Sequence, residues 1–128
     1  VQGSTDLEIR QVEFDSRKIG AGDLFIAVRG TASDGHQFIE KAIAQGAAAI
    51  VCEQLPQSLI EGITYVQVGN SASALAYIAA NFYGNPSREL QLVGVTGTNG
   101  KTTVATLLYQ LFTKAGYTTG LLSTVRIM

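Results

Sequence analysis

The chain has 128 residues, enough for one ordinary domain, with 46% hydrophobic and 15% charged side chains. A formal net charge of −1 supplies no electrostatic footprint for nucleic acid or an anionic membrane. One cysteine, Cys52, excludes an internal disulfide framework, and no apolar run approaches the about 20 residues of a bilayer span. In chain order, the first periodic segment is Asp23–Gly30, "DLFIAVRG", an expected buried strand entered through the turn residues "IGAGD". "DGHQFIEKAIAQGA" follows, with Phe38, Ile39, Ala42 and Ile43 at helical spacing and Gly46 as its stop. Asp34 with Gln37 three residues on has the form of a capping box. Ala47–Glu53 and Ile63–Val68 are apolar runs of strand length, and Ser71–Tyr83 is an alanine-rich helix capped by Asn70 or Ser71.

"GNPSREL", Gly84–Leu90, interrupts this pattern with glycine, proline and charge, and reads as a linker and domain boundary. Beyond it come an expected strand (Leu90–Thr96), a glycine-rich loop, a helix over about Lys101–Ala115, and the strand-like Gly120–Val125. This is a βαβ unit, which favours a parallel sheet. The fold class is therefore α/β: an N-terminal domain over residues 1–86, then the start of a phosphate-loop, parallel-sheet domain over residues 87–128. One βαβ unit cannot bury both faces of its sheet, so the second domain is expected to be incomplete here, in a fragment of a longer protein. The first residues show no charged stretch followed by an apolar one, so no secretion signal is expected in them.

The loop "GVTGTNGKTT", Gly94–Thr103, carries the chemistry. A phosphate needs several donors converging in a small space, and N–H groups at a helix N-terminus provide them, reinforced by the helix dipole. Glycine lets the backbone approach the anion, lysine reaches the outer phosphates, and the next hydroxyl can ligate Mg²⁺. Gly97, Gly100, Lys101 and Thr102 stand where that chemistry wants them. The strict G-x-x-x-x-G-K-[ST] spacing is not met, since its first glycine would fall on Val95. The plainer alternative is a turn whose glycines only turn the chain. Against it, a lysine in the first turn of a helix is disfavoured by the dipole unless an anion sits there.

The form "GTNGKTT" after "LVGV" resembles the ATP loop of the Mur ligases, and related loops occur in folylpolyglutamate synthetases and cyanophycin synthetase. Phe14–Glu53 resembles the N-terminal domain of the MurE type, as does "FYGNPSRELQLVGVTGTNGKTT" its passage into the central domain. The MurF type shares the "DSR…GDLF" front, while Thr98-Asn99 and "NPS" favour MurE. The resemblance implies an ATP-dependent, Mg²⁺-requiring ligase of peptidoglycan precursor synthesis. It would join a diamino acid, meso-diaminopimelate ahead of L-lysine, to UDP-N-acetylmuramoyl-L-alanyl-D-glutamate through an acyl phosphate. It further implies a cytoplasmic, monomeric enzyme of small-molecule substrates, with neither nucleic acid nor membrane insertion.

Carried over by position, the resemblance assigns Gly97, Thr98, Asn99, Gly100, Lys101, Thr102 and Thr103 to ATP. Lys101 and Thr102 are the catalytic pair, Thr102 also holding the metal. Phe14, Ser16, Thr31, Ala32 and Ser33 are assigned to the UDP end of the substrate. Asp15 and Arg17 are expected as an ion pair shaping their loop, Asp34 as a helix cap, His36 as a surface or helix-start residue, and Cys52 as inert core. Phe82, Tyr83, Tyr109 and Phe112 are expected in packing. The competing readings are a MurF-type ligase adding D-alanyl-D-alanine, a non-catalytic UDP-sugar or nucleotide module, and a switch-type phosphate-loop NTPase.

Overall fold

A computed structural model describes residues 1–31, 33–124 and 127. Ala32, Val125, Arg126 and Met128 lie outside the described residues. The chain forms two compact units, Val1–Glu89 and Leu90–Met128.

The first unit is built on four parallel strands in the order β1 (Val12–Glu13), β2 (Leu24–Ile26), β3 (Ala49–Cys52) and β4 (Thr64–Gln67). The central strands are apolar at every position because the sheet is covered on both faces, as in parallel sheets generally. Side chains alternate between the faces. Phe25, Ala27, Ile50, Cys52 and Tyr65 point to one face, where they meet Ile39 and Ala42 of α1 (Ile39–Ala44). Leu24, Ile26, Ala49 and Val51 point to the other, against Ala74, Leu75 and Ile78 of α2 (Ser71–Phe82). The free edge of β4 is covered by Gln2, which exchanges two backbone hydrogen bonds with Tyr65, of 2.8 and 2.7 Å.

The strands are shorter than the apolar runs that announced them, and Val12–Glu13 gave no sequence signal. Two residues are too few to show a period, and only pairing with Leu24 and Phe25 makes them a strand. The turn into β2 is held by Asp23, whose carboxylate accepts the Gly20 N–H at 2.7 Å. The expected helix after Asp34 starts as a 3₁₀ turn, Gly35–Phe38. Its tighter winding presents the His36 N–H to the Asp34 carboxylate at 3.0 Å, so Asp34 caps the turn without the expected capping-box partner. Asn70 caps α2, accepting the Ser73 N–H at 2.7 Å.

The second unit holds α3 (Lys101–Lys114). The expected strand Leu90–Thr96 does not form: Leu92 is 92% exposed and Val93 61%. At its intended partner, Gly120–Val125, the described residues show only an isolated antiparallel bridge between Leu122 and Ile127. Two strands without a third are marginal in water, so the apolar sequence alone does not make a ladder here. On α3, Val104, Leu107 and Leu111 share one face at helical spacing and are exposed. Phe112 packs edge-to-face on Tyr117, and Phe82 on Tyr83, with both pairs largely at the surface.

Candidate functional site

In a parallel sheet the loops after the strands all leave at one end, where ligands of open α/β sheets bind. Phe14 and Ser16 follow β1, Thr31 and Ser33 follow β2, Glu53 follows β3 and Val68 follows β4, so the sheet gathers them at its carboxyl end. Phe14 is 61% exposed, whereas Ser16 is 7% exposed and its hydroxyl has no hydrogen-bond partner among the described residues. Thr31 and Ser33 are exposed; Ala32, assigned with them, is outside the described residues. Asp15 and Arg17 form the expected pair: Arg17 Nη2 donates to Oδ2 at 2.7 Å, and Arg17 Nε and the Arg17 backbone N–H to Oδ1 at 2.9 and 3.0 Å. The Arg17 guanidinium beside it holds the Asp15 carboxyl well below the usual carboxylate range.

Sequence reasoning missed a polar network at the same end of the sheet. Glu53 Oε1 accepts the Ser71 N–H at 3.0 Å and the Ser71 hydroxyl at 2.9 Å, placing a carboxylate on the N-terminus of α2. Its other oxygen lies 3.8 Å from Arg29 Nη1, and Arg29 Nε lies 3.5 Å from Asp34 Oδ2. Of the two places expected for His36 the structure shows the helix start, as the second residue of the 3₁₀ turn Gly35–Phe38, and not the surface: its side chain is 13% exposed, with Nδ1 2.6 Å from Asp34 Oδ1. Arg29, Glu53, Gln54, Gln67, Val68 and Gly69 line an open depression of about 550 Å³. The signal available in the sequence was a carboxylate immediately after a buried apolar run, where a parallel strand ends.

The Ser71 backbone N–H, then its hydroxyl, pulls the Glu53 carboxyl below its ordinary value of 4.5. The His36 backbone N–H, then its imidazole, lowers Asp34 from 3.8. A carboxyl lowered in the folded state stabilises fully above its unfolded value, and that contribution is lost as pH falls through the folded one. The first unit should therefore lose stability on acidification below about pH 5. Glu53→Gln should flatten that slope, with Asp34 and Asp15 left to supply the remainder. Melting temperature against pH for the two proteins checks this, and parallel slopes would refute it. Burial raises the Cys52 thiol, in keeping with an inert core cysteine.

In the second unit the glycine loop runs straight into α3. Gly97 has φ +147° and Gly100, the residue before the helix, φ +76° in the left-handed region where a side chain would be strained. Among the described residues no side chain caps α3, in contrast to α2, which leaves the N–H groups of its first turn to water or a ligand. Lys101 curls back along the loop and its ammonium donates to the Gly97 carbonyl. Thr98, Asn99, Thr102 and Thr103 are exposed around it. Among the described residues there is no cluster of three or more histidine, cysteine or acidic side chains placed to hold a metal.

These features define an α/β protein with a parallel-sheet unit whose polar groups lie at the strand ends, and a glycine loop opening a helix. A family model described as Mur ligase family, catalytic domain, matches residues 8–83, and the chain belongs to the Mur ligase family. It is 59% identical over 126 residues to the UDP-N-acetylmuramoyl-L-alanyl-D-glutamate–2,6-diaminopimelate ligase of Cytophaga hutchinsonii, covering 98% of this chain and 26% of that protein. It is 55% identical over 125 residues to the protein of that name in Bacteroides fragilis, with the same coverage. The chain thus spans about a quarter of the length of the curated relatives it matches. Among solved structures, the MurF ligase of Thermotoga maritima in complex with ADP matches with 37% identity and a TM-score of 0.60, over 87% of this chain and 25% of that one. A UDP-N-acetylmuramoyl-L-alanyl-D-glutamate–2,6-diaminopimelate ligase structure matches at TM-score 0.67 over 94% of this chain and 24% of that one. At 23% identity that last likeness concerns the fold alone.

Proposed function

We propose that the chain carries the substrate-anchoring end and the ATP loop of a ligase that joins meso-diaminopimelate to UDP-N-acetylmuramoyl-L-alanyl-D-glutamate. The observation that carries this is the start of α3: uncapped N–H groups, a left-handed Gly100 and a lysine ammonium share one short loop. That donor set suits a triphosphate, and the diaminopimelate ligases at 52–59% identity support the choice of reaction. In this reading residues 1–86 bind the UDP end through Phe14, Ser16, Thr31, Ala32 and Ser33, and residues 87–128 begin the ATP-binding domain.

Lys101 leaves the Gly97 carbonyl for the β- and γ-phosphates, while Gly97 to Thr103 wrap them through backbone N–H groups. The Thr102 hydroxyl is exposed and makes no described hydrogen bond, so it is free to give one oxygen to Mg²⁺. The metal, when bound, neutralises charge on the transferring phosphoryl group. The D-glutamate carboxylate attacks the γ-phosphorus, and ADP leaves. The amine of the diamino acid then attacks the acyl phosphate, loses a proton, and phosphate departs as the amide forms. The enzyme is read as a cytoplasmic monomer acting on small molecules; among the described residues no helix is long and apolar enough to cross a membrane.

A second reading, a MurF-type ligase, draws on the 37% identity to the Thermotoga maritima protein, lower than that to the diaminopimelate ligases. One assay separates them. The full-length gene product is incubated with Mg²⁺-ATP, UDP-N-acetylmuramoyl-L-alanyl-D-glutamate and either meso-diaminopimelate or L-lysine. Phosphate release that requires the UDP-dipeptide and meso-diaminopimelate supports the proposal. Release with only the UDP-tripeptide and D-alanyl-D-alanine moves the assignment to the MurF type, and silence throughout leaves a binding module.

A further inference from the structure

We infer that His36 is a positioning residue: its imidazole ties the turn bearing Thr31 and Ser33 to the carboxyl end of β3, and so sets where the nucleoside diphosphate of the substrate meets the sheet. The inference rests on the reading that Thr31 and Ser33 touch that part of the substrate. The geometry is specific about the proton. His36 Nε2 faces the backbone N–H of Glu53 at 2.9 Å and that of Gln54 at 3.4 Å. A backbone N–H can only donate, so Nε2 is the bare acceptor and the ring proton resides on Nδ1. Nδ1 donates it to Asp34 Oδ1 at 2.6 Å.

Asp34 in turn closes the base of the turn. It pairs with Arg29 as a backbone bridge, with its Oδ2 3.5 Å from Arg29 Nε, while the Gly30 N–H donates to the Ser33 carbonyl at 3.0 Å. A continuous path therefore runs from the turn through Asp34 and the imidazole to the first residue after β3. The duller role, capping of the 3₁₀ turn, is already filled by Asp34 accepting the His36 backbone N–H, and needs no imidazole.

Two variants separate the halves of the link. In His36→Gln the amide oxygen takes the place of Nε2 and keeps an acceptor for Glu53. In His36→Asn the amide keeps a donor toward Asp34 but stops short of Glu53. In the full-length enzyme, His36→Asn should raise KM for UDP-N-acetylmuramoyl-L-alanyl-D-glutamate about tenfold, the loss of one partly buried hydrogen bond. KM for ATP and kcat should stay unchanged, and His36→Gln should return KM to within about threefold of wild type. Nitrogen-15 NMR of the wild-type imidazole should show Nδ1 protonated and Nε2 bare, and decides the matter without a variant if the asparagine protein does not fold. Equal KM in all three proteins, a fall in kcat that accompanies every KM, or a proton on Nε2 overturns the inference. A wild-type enzyme that uses N-acetylmuramoyl-L-alanyl-D-glutamate lacking UDP equally well removes the underlying reading instead, and is recognised by an unchanged imidazole signature.

Discussion

With the role proposed for Lys101, Lys101→Ala in the full-length protein should lower ATP-dependent phosphate release by about 10²–10³-fold, the range for losing one donor aimed at developing charge. The argument is electrostatic. The ammonium is the sole cationic side chain in the loop Gly94–Thr103, and its one hydrogen bond among the described residues, to the Gly97 carbonyl, is four residues away and easily released. Nothing in the core depends on it, so thermal stability without nucleotide stays within about 0.5 kcal/mol of wild type. Removing a cation from the positive end of α3 should if anything help. What the variant loses is the rise in melting temperature on adding Mg²⁺-ATP. Lysine's point charge is also not replaced by a planar guanidinium, so Lys101→Arg does not restore the rate. A Lys101→Ala enzyme that turns over at the wild-type rate would show that the loop serves only as a turn.

Phe25→Ala should destabilise the first unit by about 3–5 kcal/mol, the cost of deleting a phenyl ring from a close-packed interior. Phe25 is fully buried on β2, between β1 and β3, and belongs to the cluster that joins Ile50 and Tyr65 to Ile39 and Ala42. Domains of this size have about 5–15 kcal/mol in total, so one substitution removes much of the margin. On the proposed assignment of Thr31 and Ser33 to the UDP end of the substrate, the loss should also reach binding, because β2 leads directly into Arg29 and that turn. The urea midpoint should fall steeply with an unchanged slope, together with binding of the UDP-dipeptide. Leu24→Ala, one residue away on the other face, removes a smaller side chain and should cost less. An equal or smaller loss for Phe25→Ala would mean that the α1 face is not where the unit's stability lies.

Much of this molecule was legible in one dimension because short-range chemistry decides it. The apolar run at Ala47–Glu53 contains β3, since a strand buried on both faces has no choice but to be apolar throughout, and Ile63–Val68 contains β4, which is buried only over Thr64 and Tyr65. Asn70 announces α2 and Asp34 the turn before α1, because a cap is a contact between near neighbours. The loop "GTNGKTT" and the opening of α3 at Lys101 were visible for the same reason, as was the Asp15–Arg17 pair two residues apart.

Long-range contacts could be settled only in three dimensions. Val12–Glu13 is a strand solely because Leu24 and Phe25 lie beside it, whereas Leu90–Thr96, a better strand by composition, has no ladder partner among the described residues. His36 was legible as a surface or helix-start residue and does start the 3₁₀ turn, but only β3 brought the Glu53 N–H, 17 positions along the chain, against its ring. Glu53 and Ser71, 18 positions apart, meet for the same reason. A sequence fixes local propensity, capping and the order of chemical groups. Which distant groups share a hydrogen bond is decided by the register of the parallel sheet, since register sets what arrives together at the strands' carboxyl ends.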